Sequence, residues 1–229
     1  MAIAYVNGGT GRDTASDTTL NLSAFDVVAG NAIIVGAESY TGGGAILIDH
    51  ISDTAGNIYS RCGDPESADA FANHDQEIWI APNAAVQAGN VITVTYVSAA
   101  TFRNCLACQY SGLKKSNPYD VAAAILADPG ATNTHTTNLT DAINQSEELI
   151  FAFYLLWGGS AEAFSVSGDN NLRDNIATIF AAVDQIVSST GQKSVTLLTA
   201  NPNQLVSMVR TFKAESFQPA WAGYSNILL

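Results

Sequence analysis

Three cysteines, three histidines and 21 acidic side chains are where chemistry could reside in this 229-residue chain. Cys105 and Cys108 have the Cys-x-x-Cys spacing of half a zinc site. Their flanks read as a strand, however, and strand positions three apart face opposite ways. No second Cys/His pair follows, and Cys62 makes the count odd, so a disulfide framework is not indicated. The cysteines are read as buried and structural. Of the histidines (His50, His74, His135), only Asp49-His50 puts one next to a carboxylate. Adjacent strand residues face apart, and no Gly-x-Ser-x-Gly elbow supplies a nucleophile for a triad. A glycosidase needs two carboxylates about 5–10 Å apart. Glu38, Asp49, Glu77 and Asp120 are candidates, but nothing in their spacing singles out a pair. The expectation is a protein that is not an enzyme and needs no cofactor.

Two binding chemistries have residues to support them. Gly168-Asp-Asn-Asn-Leu-Arg-Asp174 offers Asp169, Asn171 and Asp174 as hard oxygen ligands, so calcium is an alternative there to an ordinary Asx turn. Without the terminal bidentate glutamate of a full calcium loop, the turn is the favoured reading and no metal is expected. A sugar platform would use exposed aromatics, and Trp79 and Trp157 are its candidates. In Ile78-Trp-Ile80 the tryptophan faces away from both isoleucines, so if those point inward it points outward. Core or rim packing is the simpler use of both rings.

The elements that must hold these residues are short strands between Gly, Asn, Pro and Ser breaks. Val91–Val97 and Phe102–Tyr110 alternate as half-buried strands do. Leu149–Trp157 is apolar on both faces, which predicts a central strand covered on each side. Residues 62–75 read as a long surface loop. Residues 121–126 could be strand or helix, and Thr132–Thr140 reads as an exposed strand. About a dozen strands and no confident long helix predict an all-β antiparallel sandwich of jelly-roll or Ig-like type. It is expected to span residues 1–213, with neither a dividing linker nor a tandem repeat in view. Residues 214–229 read as an apolar C-terminal extension carrying Phe217, Trp221, Tyr224, Ile227, Leu228 and Leu229. A solvated tail would not be so apolar, so either the domain or a partner is expected to cover it.

Composition narrows the function classes. Charged residues make up 13%, against roughly 25% in an ordinary soluble domain, so partners could cover much of the surface. The net charge of −12 argues against nucleic acid, which requires a basic footprint. No apolar run approaches the roughly 18 residues of a membrane span. The opening Met-Ala-Ile-Ala-Tyr-Val-Asn-Gly-Gly lacks the n- and h-regions of a secretory signal, giving the expectation of a chain made in a host cytoplasm.

Five pieces together carry a resemblance. They are Val28-Ala-Gly-Asn-Ala-Ile-Ile-Val35, Ser52-Asp-Thr-Ala-Gly-Asn-Ile-Tyr59, Ile78-Trp-Ile-Ala-Pro-Asn83, Tyr110-Ser-Gly-Leu113, and the following Pro118 and Asp120. This order resembles a β-sandwich module found in tailed-phage virion proteins and bacterial surface proteins. The resemblance implies a fold without catalytic residues. It points to a capsid decoration (cement) protein on the outer virion surface, a homo-oligomer, specifically a trimer, in contact with the major capsid protein. Tyr5 of the N-terminal strand and Phe217, Trp221, Tyr224 and Ile227 of the extension are the expected contact residues. The alternative is a carbohydrate-binding module of a phage tail or cell surface, using Trp79 and Trp157.

Overall fold

The computed structural model describes residues 2–41, 46–67, 74–157, 162–176 and 179–216. The contact candidates Phe217, Trp221, Tyr224 and Ile227 lie outside them. The chain is all-β and antiparallel, as the alternation and breaker pattern predict, with no helix among the described residues.

The first half contributes β1 (Ala4–Asp13), β2 (Asp17–Asn21), β3 (Phe25–Val27), β4 (Ala32–Tyr40), β5 (Ile48–Asp53), β6 (Ser60–Arg61), β7 (Glu66–Ser67), β8 (His74–Ala81), β9 (Gln87–Asn90), β10 (Ile92–Ala100) and β11 (Phe102–Ser111). Its main sheet runs β1-β11-β4-β8-β6, with β7 also on β8; a second sheet runs β2-β10-β5, and β3 pairs with β9. The second half contributes β12 (Tyr119–Ala122), β13 (Leu126–Thr136), β14 (Glu148–Trp157), β15 (Phe164–Val166), β16 (Asn171–Ile176), β17 (Phe180–Val187) and β18 (Thr196–Lys213). They form one sheet, β12-β18-β14-β17-β16, with β13 and β15 also on β18. The ambiguous stretch 121–126 is the end of β12, a short coil and the first residue of β13.

No repeat is visible in the sequence, but the strand pairing repeats. The order β1-β11-β4-β8-β6 maps onto β12-β18-β14-β17-β16, the five strands following one another along the chain in the same relative order in each half. Strand β18 does in one run what β10 and β11 do as two. Its residues 196–199 carry the end of β13 (Thr134–Thr136) and β15, as β10 carries β2 and β5. Its residues 204–213 carry β14 on one side and β12 with the start of β13 on the other, as β11 carries β4 and β1. The bridge Ile143–Gly191 stands where the β3–β9 pair stands in the first half.

The two main sheets pack face to face. Between them Ile34, Ile78, Leu106 and Tyr110 meet Leu149, Phe151, Phe153, Phe180 and Phe212 in a central core. An outer core lies between the first main sheet and β2-β10-β5, built on Val35, Trp79, Cys105, Ile92 and Val94. A third backs the second main sheet, with Ile150, Tyr154, Val183 and Leu197. Both main sheets are thus covered on both faces, which accounts for the unbroken apolar run in β14. Cys105 and Cys108 fall in different cores, as strand alternation predicts.

Candidate functional site

The three N-terminal motifs of the resemblance converge at one end of the first half. The Ser52–Tyr59 turn is organised by Asp53. Its Oδ1 accepts the Asn57 backbone N–H at 2.9 Å. Its Oδ2 accepts Asn57 Nδ2 at 2.7 Å, the Tyr59 hydroxyl at 2.8 Å and Asn90 Nδ2 at 3.1 Å. Burial pushes this carboxyl up, but the hydrogen bonds from Asn57, Tyr59 and Asn90 outweigh it and hold Asp53 below the usual carboxylate range. Tyr59 is pushed up, by burial first and then by the Asp53 charge. Gly56 sits at φ 73°, a backbone state that its Cβ-less residue adopts without strain.

The Val28–Asn31 turn is held by a buried amide, Gln109. Its Oε1 accepts the Val28 N–H at 2.8 Å and Asn31 Nδ2 at 3.0 Å. Its Nε2 donates to Asn7 Oδ1 at 2.5 Å and the Asp26 carbonyl at 3.0 Å. The Pro82–Val86 segment is stitched to both turns. Gly30 N–H reaches the Ala84 carbonyl at 2.9 Å, Ala84 N–H reaches the Asn31 carbonyl at 2.8 Å, and Ala85 N–H reaches Asn57 Oδ1 at 2.7 Å.

Between these turns lies an open depression of about 550 Å³, bordered by Gly30, Asn57, Ile58, Pro82, Ala84 and Ala85. The side chains of Asn31, Asp53 and Asn57 are spent on fixing the loops. Beside the exposed Asn83, the loop end presents three apolar side chains outward: Ile58 is 86% exposed, Val86 70% and Val28 51%. A rigid frame displaying β-branched side chains suits contact with another polypeptide surface.

The other candidates are placed as follows. Trp79 is enclosed, not outward-facing: it lies in the outer core at 8% exposure because a second sheet covers that face. Its indole N–H donates to Glu77 Oε2 at 2.8 Å, the same oxygen that Arg61 pairs with at 2.7 Å, and the Arg61 guanidinium lies 5.0 Å from the ring centre. Trp157 ends β14 opposite Gln204, and its side chain lies outside what is described. Trp79, enclosed in the outer core, presents no exposed ring face for a sugar.

Tyr5 is half-buried and turned into the molecule, with its ring edge-on to Tyr110 (centroids 5.7 Å apart) and beneath the Arg173 guanidinium at 4.8 Å. Burial, followed by nearby negative groups, pushes its hydroxyl up to about 12. This contact candidate thus closes an internal cluster that sequence reasoning did not find. At its centre Asp184 is fully buried, accepting the Tyr110 hydroxyl at 2.6 Å, Arg173 Nε at 2.5 Å and Asn171 Nδ2 at 3.2 Å. The one available signal was an acid inside the apolar run of β17. Of the calcium candidates, Asn171 thus commits its amide N–H to Asp184, and Asp169 is exposed in its turn. The register shifts at Arg173, and Asp174 pairs with Ala182 just beyond it. Among the described residues no group of three or more His, Cys, Asp or Glu is placed to hold an ion.

Two further acids have close ionisable neighbours. Asp49 and His50 do touch, Oδ2 to Nδ1 at 2.8 Å, because both lie on the exposed rim of β5 where the side chains can bend toward each other. Glu148, the first residue of β14, is fully buried. Burial, then the neighbouring Asp120 carboxylate, pushes its carboxyl up to about 7; Asp120 itself pairs with Lys213.

No family model matches the chain, and no curated protein or solved structure matches it either.

Proposed function

We propose that this chain is a non-enzymatic structural protein of a tailed-phage virion, a capsid decoration protein that works through protein–protein contacts. The observation that carries the reading is the loop end: Ile58, Val86 and Val28 stand exposed on turns locked by Asp53, Asn57 and Gln109. Such a frame gives up little conformational entropy on docking, so most of the burial of its apolar side chains is retained as affinity. The mechanism is mass action: a protein that binds the assembled shell and not its separated subunits stabilises the shell. The motif resemblance supplies the virion setting, and the low share of charged residues fits a surface largely covered by partners. The acidic net charge of −12 suits a basic partner surface. A homotrimer seated on the major capsid protein is the assembly this reading entails.

The test has two measurements. Light scattering behind a sizing column gives the molar mass of the purified protein, and a trimer is the expected result. Co-sedimentation with assembled capsid shells is then compared for the parent and an Ile58→Asp, Val86→Asp variant. Loss of sedimentation with an unchanged melting temperature is expected. Retained sedimentation with both charges in place would remove the loop end from the contact.

A further inference from the structure

We propose that Lys213 and Asp120 condense into a side-chain amide, an isopeptide bond that staples β12 to β18, and that Glu148 relays the protons of the reaction. The proposal is independent of the loop end and of the contacts read there.

Three adjacent strands bring the groups together. In the second main sheet β18 lies between β12 and β14. Glu148 and Lys213 are direct cross-strand partners, so their side chains stand side by side on one face. Across β18, Tyr119 pairs with Phe212 and packs its ring on it in the central core. That turns Asp120 to the opposite face. There Lys213 Nζ contacts Asp120 Oδ1, and the Glu148 and Asp120 carboxyls meet. Thr211 of β18 also acts on Glu148, and Val187 of β17 pairs with it on its other side. Both Glu148 oxygens and Asp120 Oδ2 are buried with no N–H donor among the described residues. A proton held between the two carboxyls satisfies them, and burial keeps that proton on Glu148 up to about 7.

An amine, the carboxyl it touches and a protonated second carboxyl are the parts of an acyl condensation. The neutral Lys213 amine is the nucleophile and Glu148 the acid–base group. One ammonium proton passes through Glu148 to the Asp120 carboxylate, leaving a neutral amine against a neutral acid. Nζ then attacks Cγ. A second proton leaves the nitrogen through Glu148 for the departing hydroxyl. One C–N bond forms, one C–O bond breaks, one water leaves, and Glu148 ends as it began. Fixed contact between amine and carboxyl makes the attack intramolecular, which lets an unactivated acid react. The product replaces a largely buried ion pair with a neutral amide, sparing its desolvation cost. Lys213 keeps 28% of its side chain exposed, and water there stabilises its charge, so closure is slow and follows folding. In the freshly folded chain the groups are unjoined, and the pH-dependent stability contributed by Glu148 belongs to that state. Once closed, the bond ties the first strand of the second half to its last, so the sheet cannot peel from either end.

The test is mass spectrometry of the intact full chain, fresh and after standing at pH 6 and at pH 8. The parent should lose the mass of one water. Trypsin should then release residues 116–173 joined to residues 211–229, because an acylated Lys213 is no longer cut. Lys213→Arg keeps the ion pair and should keep the full mass, as should Asp120→Ala. Closure requires Glu148 protonated, so with a carboxyl titrating near 7 the parent should close about tenfold faster at pH 6 than at pH 8. Glu148→Gln has the same shape but relays no proton; it should slow closure about a hundredfold at pH 6 and remove the pH dependence. A parent that keeps the full mass at every time and both pH values overturns the proposal. So does a water loss that persists in Lys213→Arg, since it then arises elsewhere. Closure of Glu148→Gln at the parental rate and with the parental pH profile overturns the role given to Glu148.

Discussion

Strands β4 and β14 hold the same central place in their two sheets and face each other across the central core, yet they are built oppositely. Toward that core β4 turns Ala32, Ile34 and the bare backbone of Gly36, whereas β14 turns Leu149, Phe151, Phe153 and Leu155. A Cβ placed on Gly36 would meet the Phe153 ring at 2.5 Å. One strand is hollowed where the other is filled. Two halves with one topology have thus become complementary in volume, and it is this complementarity that makes them a single packed body. The same contrast holds for their polar groups. The first half spends the half-buried acid Asp53 on shaping a loop, while the second spends the buried Asp184 on a charge pair at the joint between the sheets.

The largest expected effects come from breaking the joint. Phe153→Ala should cost about 3–5 kcal/mol, and Asp184→Ala a similar ~3–5 kcal/mol because it strands Arg173, both read from urea unfolding. The reciprocal change, Gly36→Ala, should cost about 1–3 kcal/mol by overpacking. Repeated in a Phe153→Leu background it should cost less, and strict additivity of the two changes would refute the knob-and-hollow pairing.

Next comes the loop. Asp53→Ala leaves the buried Tyr59 hydroxyl and Asn90 amide without their acceptor, a loss of about 1–3 kcal/mol. Its mark should be local: faster exchange at residues 54–59 with the central core unchanged. An equal effect throughout the molecule would mean that the loop is not a separate device.

The smallest effect is at Glu148, and its sign is opposite. Its folded carboxyl titrates near 7, above the ordinary glutamate value of 4.5. Between those values the folded state binds more protons than the unfolded, so stability falls as pH rises from about 4.5 to 7. Asp53, held below the usual range, contributes stability above the ordinary aspartate value that is lost only as acid titrates the folded carboxyl. Glu148→Gln should therefore flatten the melting profile between pH 5 and 8 and raise the melting temperature at pH 8. About 2–4 °C is expected, the shift that ~1 kcal/mol brings in a chain of this size. A profile that keeps its slope would assign the dependence elsewhere.

How much of this was legible depended on whether one strand could be read alone. Alternation placed Cys105 and Cys108 on opposite faces, and the apolar run of β14 announced a strand buried on both sides. Trp79 misled because its alternation is that of a sheet with one open face, and the layer that closes it, β2-β10-β5, comes from distant segments. Gln109, Glu77 and Asp184 were hidden by polarity: buried amides and acids look like surface residues until their partners are brought in from elsewhere. The repeat escaped because it lies in which strands pair, while β18 fuses what β10 and β11 keep apart. The motif run at Ser52–Tyr59 was legible as a turn, but its convergence with Val28–Asn31 and Pro82–Val86 on one depression required the fold.

The three thiols give the molecule built-in clocks. Cys62 and Cys108 lie in the central core and Cys105 in the outer one, all free and almost without exposure. Burial drives Cys62 up to about 12 and the other two higher still, so each stays protonated and unreactive while its core is closed. An alkylating reagent can mark each sulfur only when the layers around it part. The labelling rates at Cys105 and Cys108, three residues apart on one strand, therefore time the separation of two different pairs of sheets in the same molecule.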